Sequence, residues 1–84
     1  MDIKNLTSLF KALGDENRLR LINLLKRGEL CCCQINQEMQ LPQNLISHHL
    51  KVLRESGVLN SRKDGRWVHY SLNDHFADKF KSII

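Results

Sequence analysis

The hydropathy pattern shifts from helical to alternating period at Gly57 and keeps the alternation to about Leu72, and this restricts the fold more than any other feature of the chain. Upstream of it, apolar residues recur at helical spacing; downstream, they alternate. Val58-Leu59-Asn60-Ser61-Arg62 and Trp67-Val68-His69-Tyr70-Ser71-Leu72 read as extended runs flanking Lys63-Asp64-Gly65-Arg66. Asp-Gly between two such runs is a strong hairpin signal. The pattern therefore predicts a set of helices, one antiparallel ribbon and a short helix after it. At 84 residues this is a single domain near the lower limit of independent folding, so covering an apolar face with a second copy would add to a thin core.

The helices are punctuated clearly. One is expected from about Ile3 to Leu13, with Leu6, Leu9, Phe10 and Leu13 at helical spacing, ending at Gly14. Asp15 caps a second helix that reaches about Lys26, with Leu19, Ile22 and Leu25 on its inner face and Leu21 and Leu24 widening the stripe. A short third helix runs from about Cys32 to Met39, where Cys31 and Gln34 take the spacing of a capping box. Leu41-Pro42 breaks the chain before a fourth helix, from about Gln43 to Ser56, whose inward stripe is Ile46, His49, Leu50 and Leu53. After the ribbon, Asn73 or Asp74 caps a last helix spanning about 76 to 83, with Phe76, Ala77, Phe80 and Ile83 apolar. The expected fold is mainly α with a β-hairpin wing, in the order α-α-α-α-β-β-α: a winged helix-turn-helix. Residues 32–56 form the helix-turn-helix and 58–72 the wing.

Such a fold reads DNA when its second helix packs one face into the core and turns short polar groups outward to base edges. Gln43, Asn44, Ser47, His48 and Lys51 fall opposite Ile46, Leu50 and Leu53. Gln and Asn can pair bidentately with adenine, and Ser can donate to phosphate or base. A plain solvated helix face would look similar. The preceding Pro42 turn, the scarcity of acids before Glu55 and the basic hairpin beyond favour DNA reading. Arg62, Lys63 and Arg66 surround the hairpin turn and suit phosphate or minor-groove contact, although charged residues also protect exposed edge strands. His49 lies on the inward stripe and is expected to be a packed, hydrogen-bonded structural residue. Neighbouring histidines on a helix diverge by about 100°, so His48 and His49 are a poor metal pair. Tyr70, beside Val68 and Leu72 on its strand face, is expected in the core, with Trp67 on the other face.

A net charge of +4 and a pI near 9.2 tilt the chain modestly toward polyanions. No apolar run approaches the length of a bilayer span and no leader pattern opens the chain, so a cytoplasmic protein without a membrane partner is expected. The three cysteines are consecutive, Cys31, Cys32 and Cys33. An odd, clustered set makes no disulfide framework and fits a reducing compartment in which thiols bind metals or react.

Several segments together resemble the ArsR/SmtB family of metal-responsive repressors. They are Leu9-Phe10-Lys11-Ala12-Leu13-Gly14-Asp15 with Arg18-Leu19-Arg20, the segment Ser47-His48-His49-Leu50-Lys51-Val52-Leu53-Arg54-Glu55-Ser56-Gly57, and Arg62-Lys63-Asp64-Gly65-Arg66-Trp67-Val68-His69-Tyr70. Glu29-Leu30-Cys31-Cys32-Cys33 resembles the Glu-Leu-Cys-x-Cys box of that family. The resemblance covers nearly the whole chain. It implies a homodimer built through residues 1–13 and 74–84, with a recognition helix on each subunit. It also implies operator DNA as partner, and repression of a resistance or efflux operon until metal binds. Glu16 stands where many members have proline, and either residue suits a first helical turn. Members that sense zinc between their last helices use an Asp-x-His pair followed by a later His and acid. Here Asp74 is followed by His75 and Phe76, so that zinc site is expected to be absent.

Within the family, Cys-x-Cys at this place senses arsenite, antimonite, or cadmium and lead, and Cys31 and Cys33 are carried over as ligands. Thiolates select soft ions, three of them suit trigonal arsenic(III) or antimony(III), and a helix start favours the thiolate form. Arsenic-sensing relatives can carry a further cysteine one turn on, where this chain has Asn36. Cys32 is the spare thiol, but in a regular helix it points about 100° from each neighbour, so all three converge only if the helix start unwinds. That distortion would tilt the recognition helix and release DNA. The expectation is a repressor with no permanent cofactor, induced by arsenite or antimonite. Cadmium/lead sensing and thiol oxidation are the alternatives within regulation. A cysteine-dependent enzyme would need a base or phosphate-binding loop beside the thiols, and none is visible. A metal-buffering module would leave the polar face of 43–51 and the cationic wing without a use.

Overall fold

The computed structural model describes residues 2–80. Five helices and three strands follow in the order α1 (Ile3–Leu13), α2 (Glu16–Leu25), β1 (Leu30–Cys31), α3 (Cys32–Met39), α4 (Gln43–Glu55), β2 (Leu59–Asp64), β3 (Trp67–Leu72) and α5 (Asp74–Phe80). The helix limits follow local chemistry. Asp15 accepts from the Arg18 N–H at 3.1 Å and opens α2. Arg18 then reaches back, its Nε donating to the Ala12 carbonyl at 2.7 Å, which satisfies an acceptor left open at the end of α1. The turn between α3 and α4 is made by Gln40, in the left-handed region at φ 54°, followed by Pro42 as the cap of α4. Asn73 caps α5, accepting from the His75 and Phe76 N–H groups at 3.0 and 3.3 Å. That helix therefore starts two residues before the expected Phe76, and its expected end near 83 lies outside the described residues.

Three details of the sheet differ from the sequence reading. First, there is a third strand: β1 pairs antiparallel with β3, giving the order β1-β3-β2, with Leu30 opposite Tyr70 and Cys31 opposite His69. A two-residue strand is too short to leave a period. Second, Asp64 pairs with Trp67, so the hairpin turn is Gly65-Arg66 rather than Asp64-Gly65. Gly65 has φ 62° and Arg66 is not in the positive-φ region, which fits a tight turn with glycine at its first central position. Third, Val58 is buried but precedes the paired region.

One core holds these elements together, with Leu21, Ile22, Leu25, Ile35, Ile46, Leu53, Val58 and Leu59 fully buried. In α2 the inner face is Leu21, Ile22, Leu24 and Leu25; Leu19, expected inside, is 43% exposed. Tyr70 and Leu72 are half-buried against the core, and Val68 is half-buried on the same strand. On α1 only Leu9 and Ala12 are buried, and Ile3, Leu6 and Phe10 form an exposed apolar stripe.

His49 is buried as expected, but its Nδ1 has no hydrogen-bond partner among the described residues, so it is a packed and not a hydrogen-bonded histidine at that atom. Burial holds its pKa below the ordinary 6.5, opposed by the nearby Asp15 carboxylate and reinforced by Arg18 and His48. Because the unfolded chain binds this proton at higher pH than the folded one, the His49 contribution is complete above pH 6.5 and is lost as pH falls below it, toward the native pKa. Urea midpoints measured through that window should fall more steeply for the parent than for His49→Gln. Equal slopes would remove His49 as the cause.

Candidate nucleic-acid interface and thiol pair

The α4 helix separates its two faces cleanly. Ile46, His49, Leu50 and Leu53 are buried, and Gln43, Asn44, Ser47, His48 and Lys51 are all exposed on the other side. Lys51 lies 4.0 Å from Glu55 one turn on, an exposed pair that leaves it available to a stronger anion. Arg62, Lys63 and Arg66 are exposed on the wing. Lys63 and Arg66 make no ion pair within 4.0 Å among the described residues.

Arg62 differs from its two neighbours. Its guanidinium makes a forked contact with Glu29, Nε donating at 3.0 and 3.1 Å and Nη2 at 2.7 Å. This contact draws the Glu29 carboxyl below its usual range and pushes Arg62 up. His69 Nδ1 lies 4.0 Å from the same carboxylate. Glu29 was not among the expected site residues. Its place two residues before Cys31 is visible in the sequence, but its partner lies 33 positions away.

The thiols sit where β1 meets α3. Cys31 is the cap of α3, and its N–H donates to Gln34 Oε1 at 2.9 Å, so the Gln34 half of the expected capping box is present. The Cys31 and Cys33 sulfurs are 3.1 Å apart, the first buried and the second exposed. Cys32 is half-buried and makes no sulfur contact with the other two among the described residues. Burial is the main cause of the raised Tyr70 pKa; Arg54 lowers it and Cys32 adds to the rise. Among the described residues no three His, Cys, Asp or Glu side chains are gathered as a metal-holding group. The structure thus brings Cys31 and Cys33 together and does not bring Cys32 to them.

A short helix pair with an outward polar face and a three-stranded wing defines a winged helix-turn-helix DNA-binding regulator. The description "bacterial regulatory protein, arsR family" matches residues 15–61. The chain is 43% identical over 77 residues to an uncharacterized HTH-type transcriptional regulator of Methanocaldococcus jannaschii, covering 90% of this chain and 83% of that protein. It is 52% identical over 77 residues to the arsenical resistance operon repressor of Escherichia coli, covering 90% of this chain and 66% of that protein. The structure of HlyU from Vibrio cholerae superposes with a TM-score of 0.85 at 28% identity, covering 99% of this chain and 94% of that one. The chain belongs to the arsR family and is a transcriptional regulator, not an enzyme. Among the described residues no helix is long and apolar enough to cross a membrane.

Proposed function

We propose that this chain is a homodimeric repressor that holds operator DNA and releases it when arsenite or antimonite closes on Cys31 and Cys33. The observation that carries the reading is the 3.1 Å separation of those two sulfurs at the start of α3. With a metal–sulfur bond of about 2.3 Å, that separation subtends roughly 85° at a bridging atom, well under the ~109° of a tetrahedral site. A pyramidal three-coordinate metalloid suits such an angle better than a tetrahedral divalent ion. This favours a pyramidal three-coordinate ion such as arsenic(III) or antimony(III) over tetrahedral cadmium, and titration separates the pyramidal ions from one another. Cys32 becomes a third ligand only if the first turn of α3 unwinds.

The exposed stripe of Ile3, Leu6 and Phe10, the first 79% and the last 57% exposed, supports burial of α1 against a second copy. On DNA, Gln43, Asn44, Ser47, His48 and Lys51 read base edges, and Arg62, Lys63 and Arg66 hold the phosphate backbone. Each phosphate contact contributes about 0.9 to the slope of log affinity against log salt. Arg66→Gln should therefore weaken binding to all sequences alike and reduce the slope by about one per subunit in contact. An unchanged slope would remove Arg66 from the interface.

The reading is tested by titrating arsenite, antimonite, cadmium and peroxide separately against a promoter-fragment complex at fixed salt, with the mass in solution followed in parallel. Release of a dimer by the trivalent metalloids is expected. Release by cadmium or peroxide alone would move the inducer to the corresponding alternative. Absence of DNA binding even at low salt would overturn the repressor reading.

A further inference from the structure

The Glu29–Arg62 contact joins the thiol segment to the outer strand of the wing. In the sheet order β1-β3-β2, Cys31 is opposite His69, and His69 is opposite Arg62. Cys31, His69 and Arg62 therefore share one rung and one face of the sheet. Strand β1 pairs only with β3, through two residues, and has no backbone pairing to β2. Glu29, two residues before Cys31, spans that gap with three hydrogen bonds from one guanidinium. Fork-to-fork contacts fix orientation as well as distance, unlike a single lysine pair.

We propose that Glu29 is a positioning residue that couples the thiol pair to the wing, so that a ligand closing on Cys31 and Cys33 shifts β2 through Arg62 as well as disturbing α3. The proposal rests on the metalloid reading above. Because the two sulfurs already stand 3.1 Å apart, the displacement comes from the first turn of α3 unwinding to bring Cys32 in as third ligand, which shifts the end of β1, and Glu29 moves with it. The guanidinium follows the carboxylate, and Lys63 is the next residue along the same strand. Without the contact, the displacement reaches β3 through the two β1–β3 residue pairs and the packing of α3 on β3, and β2 only by way of β3.

Trp67 is the only tryptophan of the chain, half exposed in β3 and paired with Asp64 of β2, so its emission reports the wing directly. The experiment compares the parent, Glu29→Gln, and the swapped pair Glu29→Arg with Arg62→Glu. Each is titrated with arsenite, free and on a promoter fragment, at several salt concentrations. Arsenite should bind all three and should shift Trp67 emission in the parent. In Glu29→Gln the shift should be lost, and the ratio of operator affinities without and with arsenite should fall about threefold to fivefold, the upper range for an exposed ion pair. The swapped pair should regain both responses, which a merely structural role for Glu29 would not produce.

Two results would overturn the coupling. One is no Trp67 shift in the parent with arsenite bound at Cys31 and Cys33. The other is tighter operator binding by Glu29→Gln, with a salt slope raised by about one per subunit in contact and the arsenite response kept. In that case Glu29 only competes with phosphate for Arg62. A parent whose Trp67 responds while its operator complex stays intact would overturn the release reading and support the coupling.

Discussion

Serine at both Cys31 and Cys33 is expected to leave the operator complex standing and to abolish its response to arsenite. Serine is a good helix cap, so α3 keeps its start at position 31, and Gln34 can still accept from that backbone N–H. Position 33 is exposed and tolerates the change. What is lost is the soft ligand, since a hydroxyl does not replace a thiolate for a thiophilic centre. Coupling between an inducer site and a DNA site is typically about 5- to 150-fold, and the double variant should show a ratio within about twofold of one. Each single variant should lose most of the response, because two sulfurs held 3.1 Å apart act as one chelate. Cys32→Ser should keep a larger share, since the close sulfur pair is made by Cys31 and Cys33. Fluorescence anisotropy of a labelled promoter fragment, with and without arsenite, measures all four proteins. A full response from the double variant would remove the thiol pair as the inducer site.

The α4 face and the helix boundaries were legible because each depends on residues close together in the chain. Asp15, Pro42 and Gly57 mark helix limits by their own backbone preferences, and the period of Ile46, His49, Leu50 and Leu53 assigns the buried side. Features made by distant partners were not legible. Strand β1 exists because Leu30 and Cys31 find β3, some forty residues on, and Glu29 became part of the site only through Arg62. Leu19 satisfied the helical period of α2 but lies at the edge of the buried face, since Leu21, Ile22, Leu24 and Leu25 already fill the contact. The hairpin was placed correctly, yet its turn fell one residue later. Asp64 gains a partner in Trp67, and Gly65 can open the turn without strain.

Leu53→Ala should be the most destabilising of the substitutions considered and should remove operator binding through folding alone. Leu53 is fully buried on the inner face of α4, directly behind the polar face, and its carbonyl accepts from both the Val58 N–H and the Ser56 hydroxyl. Truncating a buried leucine costs about 2–5 kcal/mol, through lost transfer energy and the cavity that remains. A domain of this length has about 4–13 kcal/mol in total. The change therefore removes a large fraction of the stability, and at about 4–8 °C per kcal/mol the melting temperature should fall by roughly 8–40 °C. Ser47→Ala, on the opposite face of the same helix, should shift the melting temperature little, since surface changes usually stay within about 0.5 kcal/mol, and should weaken operator binding at full fold. Thermal melts by circular dichroism, run beside operator titrations below both transitions, separate the two effects. A loss under about 1 kcal/mol for Leu53→Ala would mean that the site collapses around the smaller side chain, and α4 would then owe its position to the turn at Gln40 and Pro42 more than to its packed face.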